Sequence, residues 1–332
     1  MQRRQFLLTA ALFSSGILPG LTNAASARWR TAATLPIRTQ EIYPTVHDGT
    51  LVVAGGIARR LALPYFSDRC FSYNPREDTW NEIATLPEAL HHAALVSTGE
   101  DLVLVGGFNG GYTHIWRMRA EVYRLSEEGW VADGALPAPQ AEGVLSLGPN
   151  RDIHLVSGQS PKGEDNGKRS DHTEVVDHHV RRAGSTQWER LAPIPTARNS
   201  ATGGWLGDQL IVTGGRTAEG NLNPTEIYDL KEDRWRDAAP LPLPQAGTAS
   251  VVVEDGIIVF GGEIFVPESA VYPNVWRYSY KNDAWTALPD MPTPRHGLGA
   301  GKIGEEIFVV GGATEPGGSG TSDANEVLVL AE

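Results

Sequence analysis

Six tryptophans recur about 50 residues apart, and this period constrains the fold more than any other feature of the chain. They are Trp29, Trp80, Trp130, Trp188, Trp235 and Trp285. A second marker, a pair of small residues that ends an apolar run, recurs at the same interval: Gly55-Gly56, Gly106-Gly107, Ser157-Gly158, Gly214-Gly215, Gly261-Gly262 and Gly311-Gly312. Two independent markers with the same count predict six structural repeats. Each repeat is too small to bury its own apolar faces, so the repeats must stack on one another.

Each repeat has the pattern of four short strands. Leu102–Val105, before one glycine pair, is wholly apolar, as expected of a strand covered on both faces. Residues 226–230 and 274–278 carry polar as well as apolar side chains, and a polar turn then leads into Trp235. The chain contains 37 Gly, 22 Pro and 9 Trp in 332 residues. Such a composition is typical of many short strands joined by tight turns.

The two ends of the chain predict how the repeats are joined. The last repeat has its glycine pair and the apolar run 325–330, but no tryptophan follows. Trp29, by contrast, precedes the first glycine pair. We therefore expect an all-β fold: a six-bladed β-propeller with four antiparallel strands per blade, formed by residues 28–332 as a single domain. The N-terminal strand would complete the last blade and close the ring.

The first 27 residues have the pattern of a cleavable export signal. Arg3-Arg4 precede Phe6-Leu7 and a weakly hydrophobic run, and Ala25-Ser26-Ala27 supplies small residues for cleavage. This pattern predicts a twin-arginine signal; an ordinary secretory signal, or cleavage at Ala24 or Ala25, is the alternative. The apolar run is too short to remain as a membrane anchor. The mature protein is expected to be periplasmic or secreted.

Net charge and cysteine content exclude several classes of protein. The formal charge of -12 repels phosphate backbones and disfavours nucleic acid as a partner. The single cysteine, Cys70, excludes an internal disulfide framework and a cysteine-based zinc site.

Three features together resemble the Kelch repeat. They are the glycine pair, the Tyr-x6-Trp spacing of Tyr73 and Trp80, and the Leu-Pro-x-x-Arg-like turn ending at Arg198 and again at Arg295. The resemblance covers nearly the whole mature chain and implies the Kelch-type propeller. It does not imply one activity, because this fold carries binding modules, sugar isomerases and oxidases alike.

The resemblance implies which side chains surround the mouth of the propeller. A proline follows each tryptophan, and the third to fifth residues after it form what we call the approach loops. The last two positions of an approach loop commonly face the mouth in Kelch proteins that bind peptides. Carried over by position, they include Gln40, Glu41, His91, His92, Glu142, Asn199, Ser200 and His296. Because these residues differ from repeat to repeat, they suit an asymmetric ligand.

Arginines complete the set of candidate binding residues. Arg198 and Arg295 also lie in approach loops, where they either face a ligand or cap backbone carbonyls within the repeat. Arg216 and Glu263 lie in the exit loops, which we define as the segments that follow each glycine pair.

The third repeat carries an insertion after its glycine pair, and it contains the residues whose composition most resembles a metal site. His172, Glu174, Asp177, His178 and His179 cluster there. Residues 173–177 align with Thr225–Asp229, however, so we expect an ordinary blade strand whose side chains alternate between two faces. No metal site and no cofactor are predicted. The insertion itself could form a lid over the mouth.

Three functions are compatible with the sequence, and no catalytic residue is assigned. The first is a module that binds a small carbohydrate, or a protein or peptide partner, through the mouth. The second is a sugar mutarotase or epimerase resembling sialic acid mutarotases. That family has Glu directly after one glycine pair and Arg six residues later. Glu263 matches the first position, but Ser269 stands at the second, so Arg198, Arg216 or Arg295 would have to replace it.

The third is a copper oxidase resembling galactose oxidase, whose chemistry needs a Cys–Tyr crosslink. Cys70, however, lies on a predicted repeat strand, where a small core residue is expected.

Overall fold

The computed structural model describes residues 27–60, 63–110 and 114–330. The predicted export signal lies outside the described residues, apart from its last residue, Ala27. The described chain is built from short antiparallel strands and one 3-10 turn, Arg169–Asp171, which confirms the predicted all-β class. None of its helical segments is long and apolar enough to cross a membrane.

The strands are numbered in chain order. Those of the first half are β1 (Arg28–Thr31), β2 (Thr39–Gln40), β3 (Thr45–His47), β4 (Thr50–Ala54), β5 (Ile57–Arg60), β6 (Leu63–Phe66), β7 (Cys70–Asn74), β8 (Thr79–Glu82), β9 (Ala94–Ser97), β10 (Leu102–Val105), β11 (Phe108–Asn109), β12 (Arg117–Met118), β13 (Glu121–Ser126), β14 (Gly129–Ala135), β15 (Val144–Leu147), β16 (Ile153–Val156) and β17 (Gln159–Pro161). Those of the second half are β18 (His172–Glu174), β19 (His178–Arg181), β20 (Trp188–Arg190), β21 (Thr202–Leu206), β22 (Gln209–Thr213), β23 (Arg216–Thr217), β24 (Gly220–Asn221), β25 (Thr225–Asp229), β26 (Arg234–Ala238), β27 (Ala249–Val253), β28 (Gly256–Phe260), β29 (Glu263–Ile264), β30 (Ala270–Val271), β31 (Val275–Ser279), β32 (Ala284–Leu288), β33 (Gly299–Ile303), β34 (Glu306–Val310) and β35 (Asn325–Val329).

Twenty-four of these strands form four-stranded antiparallel sheets, which we number 1 to 6. In order they are β3-β4-β7-β8, β9-β10-β13-β14, β15-β16-β19-β20, β21-β22-β25-β26, β27-β28-β31-β32 and β33-β34-β35-β1. The first strands of successive sheets contact one another, and the first strand of sheet 6 contacts that of sheet 1. In sheet 6 the outer strand comes from the other end of the chain, because Trp29 of β1 pairs with Leu328 of β35.

A polar clamp joins neighbouring sheets. In sheet 5 the Tyr278 hydroxyl donates to Asp283 (2.7 Å), and the same carboxylate accepts the backbone N–H of Ala239 in sheet 4's outer segment (2.8 Å). The indole of Trp285 donates to the carbonyl of that same Ala239 (2.8 Å). Both backbone groups of one residue are thereby satisfied by the neighbouring sheet. Sheets 1 and 4 repeat the arrangement with Tyr73, Asp78, Trp80, Tyr228, Asp233 and Trp235.

The third repeat departs from the sequence prediction. Residues 173–177 were expected to be a blade strand, but β18 pairs with β17 in a hairpin of the exit loop. The strand inside sheet 3 is β19, which places Arg181 opposite Trp188, where sheets 1, 4 and 5 have tyrosine. Arg181 donates to Asp133 of sheet 2 (2.6 Å), so an ion pair joins these sheets. The alignment failed because the insertion moved the blade strand a few residues along the chain.

The glycine pairs occur where the backbone is left-handed and tightly packed. Gly55 has φ +66°, and a Cβ there would lie 2.3 Å from the carbonyl oxygen of Leu90. Ser157 adopts the same conformation with φ 60°. Its hydroxyl oxygen accepts the N–H of Arg198 (3.1 Å). The one non-glycine residue of these pairs therefore makes a side-chain hydrogen bond that glycine cannot make.

Candidate functional site

The approach loops meet at a set of equivalent backbone positions. The fifth residue after each proline has a left-handed φ in every sheet, and these residues are Glu41, His92, Glu142, Ser200, Gly247 and Gly297. Backbone hydrogen bonds link them across sheet boundaries. Glu41 N–H donates to the carbonyl of Gly297 (2.7 Å), Gly297 to Gly247 (2.9 Å) and Gly247 to Ser200 (3.0 Å). The side chains at these positions consequently converge on one small region.

Four of the six positions carry a side chain where glycine would be unstrained. Glu41, His92, Glu142 and Ser200 have φ values of 57°, 54°, 59° and 52°. A left-handed conformation costs a non-glycine residue about 1 kcal/mol or more. Sheets 5 and 6 place glycine at the same position, so the backbone itself does not require a side chain. Retained strain of this kind is concentrated at functional sites.

A carboxylate between two imidazoles forms the centre of the site. Glu41 Oε2 lies 3.0 Å from Nε2 of His92, and its Oε1 lies 3.7 Å from Nδ1 of His296. Burial by itself would raise the pKa of Glu41. The charge and hydrogen bond of His92, with the charges of His296 and Arg216, instead hold that pKa well below its usual range. Glu41 is therefore a buried anion at neutral pH.

The protons of His92 follow from its neighbour, His91. His91 Nε2 lies 2.7 Å from the carbonyl oxygen of Ile115 and must donate to it, so Nδ1 of a neutral His91 is an acceptor. Burial, followed by the charge of His92, lowers the pKa of His91 to about 3, which keeps it neutral. Nδ1 of His92, 2.7 Å away, must then donate. Nε2 of His92 faces two carboxylates, Glu41 at 3.0 Å and Glu142 at 3.3 Å.

Two arginines pair with the remaining carboxylates. Arg169, in the insertion of the third repeat, forms a two-point contact with Glu142 at 3.0 and 3.2 Å. Arg216 donates to Glu263 Oε1 (2.7 Å), while Glu263 Oε2 accepts the N–H of Gly317 (2.8 Å). Burial would raise the pKa of Glu142, but the charges of Arg169, His92 and Arg216 lower it. The site is thus an interlocked set of opposite charges rather than one isolated acid.

A cavity of about 980 Å³ opens above this network. Six of the predicted binding residues line it: Gln40, Glu41, His92, Asn199, Arg216 and Glu263. Four others lie next to it and contact the lining residues: His91, Glu142, Ser200 and His296. The insertion contributes Lys162, Arg169, Ser170 and His172 to the lining, so it forms part of the wall of the cavity.

Arg198 and Arg295 lie inside the sheets and not at the cavity. Each guanidinium is fully buried. Arg295 donates to the carbonyls of Gly311 (2.7 Å) and Ala324 (3.2 Å) and pairs with Glu326 (2.8 Å). Arg198 makes the equivalent contacts in sheet 4, including an ion pair with Glu226. Of the two interpretations of these arginines, the geometry favours carbonyl capping, because their donors are already used.

The sequence analysis missed the aromatic wall of the cavity and the role of the insertion's arginine. Tyr65, Phe66, Trp116 and Phe265 line the cavity. Arg169 sits over the Trp116 ring, 4.7 Å from its centroid. No repeat marker identifies these residues, because each belongs to an exit loop of irregular length. Their position after a glycine pair was the one available signal.

The described residues contain no group of three or more His, Cys, Asp or Glu arranged to hold a metal ion. His172 lies in the exit-loop hairpin, whereas His178 and His179 lie within sheet 3. Cys70 is buried in an apolar cluster with Val52 and Leu104, and burial raises the pKa of its thiol to about 12. That location does not fit the Cys–Tyr crosslink of a copper oxidase.

A class of repeat proteins is defined by these features: repeated four-stranded antiparallel sheets, polar clamps between neighbouring sheets, and polar residues that meet at one cavity. The sequence profile described as the KLHDC2/KLHL20/DRC7 Kelch-repeats domain matches residues 132–312, more than half of the chain. A second profile, the Kelch motif, matches residues 44–87. The chain belongs to the Kelch-repeat family.

Individual relatives are distant. Kelch-like protein terF of Aspergillus terreus is 26% identical over 257 residues, which cover 73% of this chain and 53% of the relative. Human Kelch-like protein 34 is 28% identical over 195 residues, 57% of this chain and 28% of the relative. The chain therefore spans about half or less of these two relatives. N-acetylneuraminate epimerase of Haemophilus influenzae (strain PittEE) is 22% identical over 300 residues, 72% of this chain and 77% of the relative.

Proposed function

We propose that residues 28–332 form a closed six-bladed propeller that binds a small polar ligand, of the carbohydrate class, in its mouth. The hydrogen bond from Glu41 to Gly297 and the pairing of β1 with β35 support the closed ring. The cavity is large and concave, and this shape suits a small-molecule ligand better than it suits the flat surface of a protein partner. A peptide segment inserted into the mouth is the alternative occupant.

One observation carries this proposal: strained residues place charged side chains at the mouth. Glu41, His92 and Glu142 adopt backbone conformations that glycine adopts at the equivalent positions of sheets 5 and 6. Their charges are paired with one another and with Arg169, which fixes the side chains in place before a ligand arrives. Preorganised polar groups of this kind provide specificity for hydroxyl and carboxylate groups.

We also propose that residues 1–27 direct export and are then removed, so that the propeller acts in the periplasm or outside the cell. The paired arginines and the small residues before position 28 support this localisation.

A Glu41→Gly variant tests the binding site. We expect it to remain folded, because glycine adopts this φ at the equivalent positions of sheets 5 and 6, and to bind N-acetylneuraminic acid at least about tenfold more weakly in calorimetric titration. Asp48→Gly is the matched control, because Asp48 has a similar φ of 47° and does not line the cavity. Equal affinities in wild type and Glu41→Gly would remove Glu41 from the site. No binding by the wild type, with binding of a peptide partner, would favour the alternative occupant.

A sugar mutarotase or epimerase is the second candidate function, and the Glu263–Arg216 pair favours it. Opening a sugar ring requires a base for the anomeric hydroxyl and an acid for the ring oxygen. Glu263 directly follows a glycine pair and pairs with Arg216, so a guanidinium stands beside Glu263 although Ser269 occupies the family's arginine position. His296 Nδ1 lies 3.4 Å from Glu263, so an imidazole stands beside the same carboxylate. The epimerase relative from Haemophilus influenzae supports the same reaction class.

Anomeric equilibration of freshly dissolved N-acetylneuraminic acid, followed by NMR, tests this second function. We expect the wild type to accelerate equilibration and Glu263→Gln to lose about 100-fold or more of that rate, as is common for a general acid–base residue. Glu268→Gln, an exposed change in the same exit loop, should leave the rate unchanged. A wild type that binds the sugar without accelerating equilibration would leave only the binding function.

A further inference from the structure

The cavity has two chemically different sides. Its apolar side comes from the exit loops of sheets 1 and 2, through Ile57, Pro64, Tyr65, Phe66, Ile115 and Trp116. Its polar side comes mainly from sheets 3 to 5, through Lys162, Arg169, Glu174, Asn199, Arg216 and Glu263. Tyr65 and Ile115 are 36% and 39% exposed, a large amount for apolar side chains. A ligand with hydroxyl or charged groups alone would leave this apolar side uncovered.

The aromatic side chains of the apolar side are fixed in position. Phe66 stacks on His91 with ring centroids 4.6 Å apart, and Trp116 meets His91 edge-on at 5.3 Å. Phe108, fully buried, supports both His91 and Trp116 at 5.3 Å. His91 is itself tied to the backbone of Ile115. A rigid, partly exposed aromatic surface binds an apolar group without first having to order its own side chains.

The size of the cavity allows both sides to be occupied together. Its volume of about 980 Å³ is at the upper end of the range for small-molecule pockets, which is roughly 300–1,000 Å³. Phe265 stands on the polar side, where the Arg216 guanidinium lies 5.5 Å from its ring centroid. The cavity therefore offers room for a polar head on the Arg216–Glu263 side and for a second, apolar group beside Trp116.

We infer that the ligand is amphiphilic: a polar head bound by the charged network, bearing an aromatic or acyl group that packs against Phe66 and Trp116. This inference rests on the proposed function, because it specifies what the same mouth binds. It separates the roles of the two sides, with the charged side selecting the head and the aromatic side supplying affinity for the substituent.

Titration with 1-anilinonaphthalene-8-sulfonate, an aromatic anion whose fluorescence rises in apolar surroundings, tests the aromatic side. We expect one saturable site in the wild type and an affinity at least about tenfold lower in Trp116→Ala. Tyr65→Ser changes an exposed residue, so it tests the same wall without the risk that Trp116→Ala fails to fold. It should weaken binding several-fold. Leu243→Ser is the matched control, because Leu243 is 37% exposed and does not line the cavity, and it should bind as the wild type does.

Unaltered affinity in both Trp116→Ala and Tyr65→Ser, or the lack of a saturable site in the wild type, would overturn the inference. The sugar titration of the proposed function is independent of these variants. Binding of N-acetylneuraminic acid without binding of the aromatic anion overturns this inference alone. Binding of the aromatic anion in the predicted pattern without binding of the sugar supports the apolar wall and removes a carbohydrate acid as the head group.

Discussion

Replacing Arg295 with methionine is expected to lower the free energy of unfolding by about 3–5 kcal/mol. The Arg295 side chain is fully buried and donates to four backbone carbonyls while pairing with Glu326. Methionine fills a similar volume but has no donors. The substitution therefore leaves a buried carboxylate without its counter-charge and four backbone carbonyls with fewer partners. Urea denaturation at pH 7 measures the effect.

Two further variants separate this explanation from a general intolerance of substitution. Arg38→Met removes an exposed arginine that pairs weakly with Asp323 at 3.7 Å, and we expect a change of about 1 kcal/mol or less. Adding Glu326→Leu to Arg295→Met should recover part of the lost stability, because the uncompensated charge is then absent. If Arg295→Met is as stable as Arg38→Met, the buried arginine has no structural role. That result would contradict carbonyl capping and favour the other interpretation of Arg295, as a residue that faces a ligand.

Acidification from pH 7 to pH 5 is expected to destabilise the protein by several kcal/mol. Burial is the main reason why the pKa is lowered to about 3 for His91, to about 4 for His154 and to about 3 for His178. In the unfolded chain a histidine has a pKa near 6.5. Between these values the unfolded state binds more protons than the folded state, so stability falls as pH falls. Each histidine contributes up to about 2 kcal/mol at pH 5.

The paired histidines of sheet 3 allow a sharp test of this pH dependence. His154 Nδ1 lies 2.9 Å from His178 Nε2, and the two rings pack against Trp205 and Tyr228. A His154→Leu/His178→Leu variant should show a clearly shallower loss of stability between pH 7 and pH 5 by urea denaturation. His114→Gln, which alters an exposed histidine, should keep the wild-type slope. An unchanged slope in the double variant would contradict the explanation.

The repeat markers made the strand arrangement predictable, because they arise from packing that every repeat shares. Trp80, Trp235 and Trp285 each reach a carbonyl of the neighbouring sheet, so their spacing follows the geometry of the sheets. The aspartate two residues before each of them was overlooked. Its carboxylate accepts the tyrosine hydroxyl and the backbone N–H of the same clamp, and the pattern Asp-x-Trp was visible in the sequence.

The candidate site was predictable only where it follows the repeat. Glu41, His92 and Glu142 were found because the approach loops keep a constant distance from the proline. Arg169 and Trp116 were not, because their exit loops differ in length from repeat to repeat. Their positions depend on tertiary contacts, such as the ion pair of Arg169 with Glu142, which no sequence spacing encodes.

A disulfide between the two ends of the chain tests the closed ring most directly. In Arg28→Cys/Val329→Cys the new cysteines replace residues that pair directly across β1 and β35, while Cys70 stays unreactive because burial raises its pKa to about 12. Oxidation of the folded, processed chain should join the ends almost completely, give a faster band on a non-reducing gel and raise the melting temperature. A folded chain that crosslinks no better than Arg28→Cys/Glu254→Cys would contradict the ring, and with it the mouth that the approach loops surround.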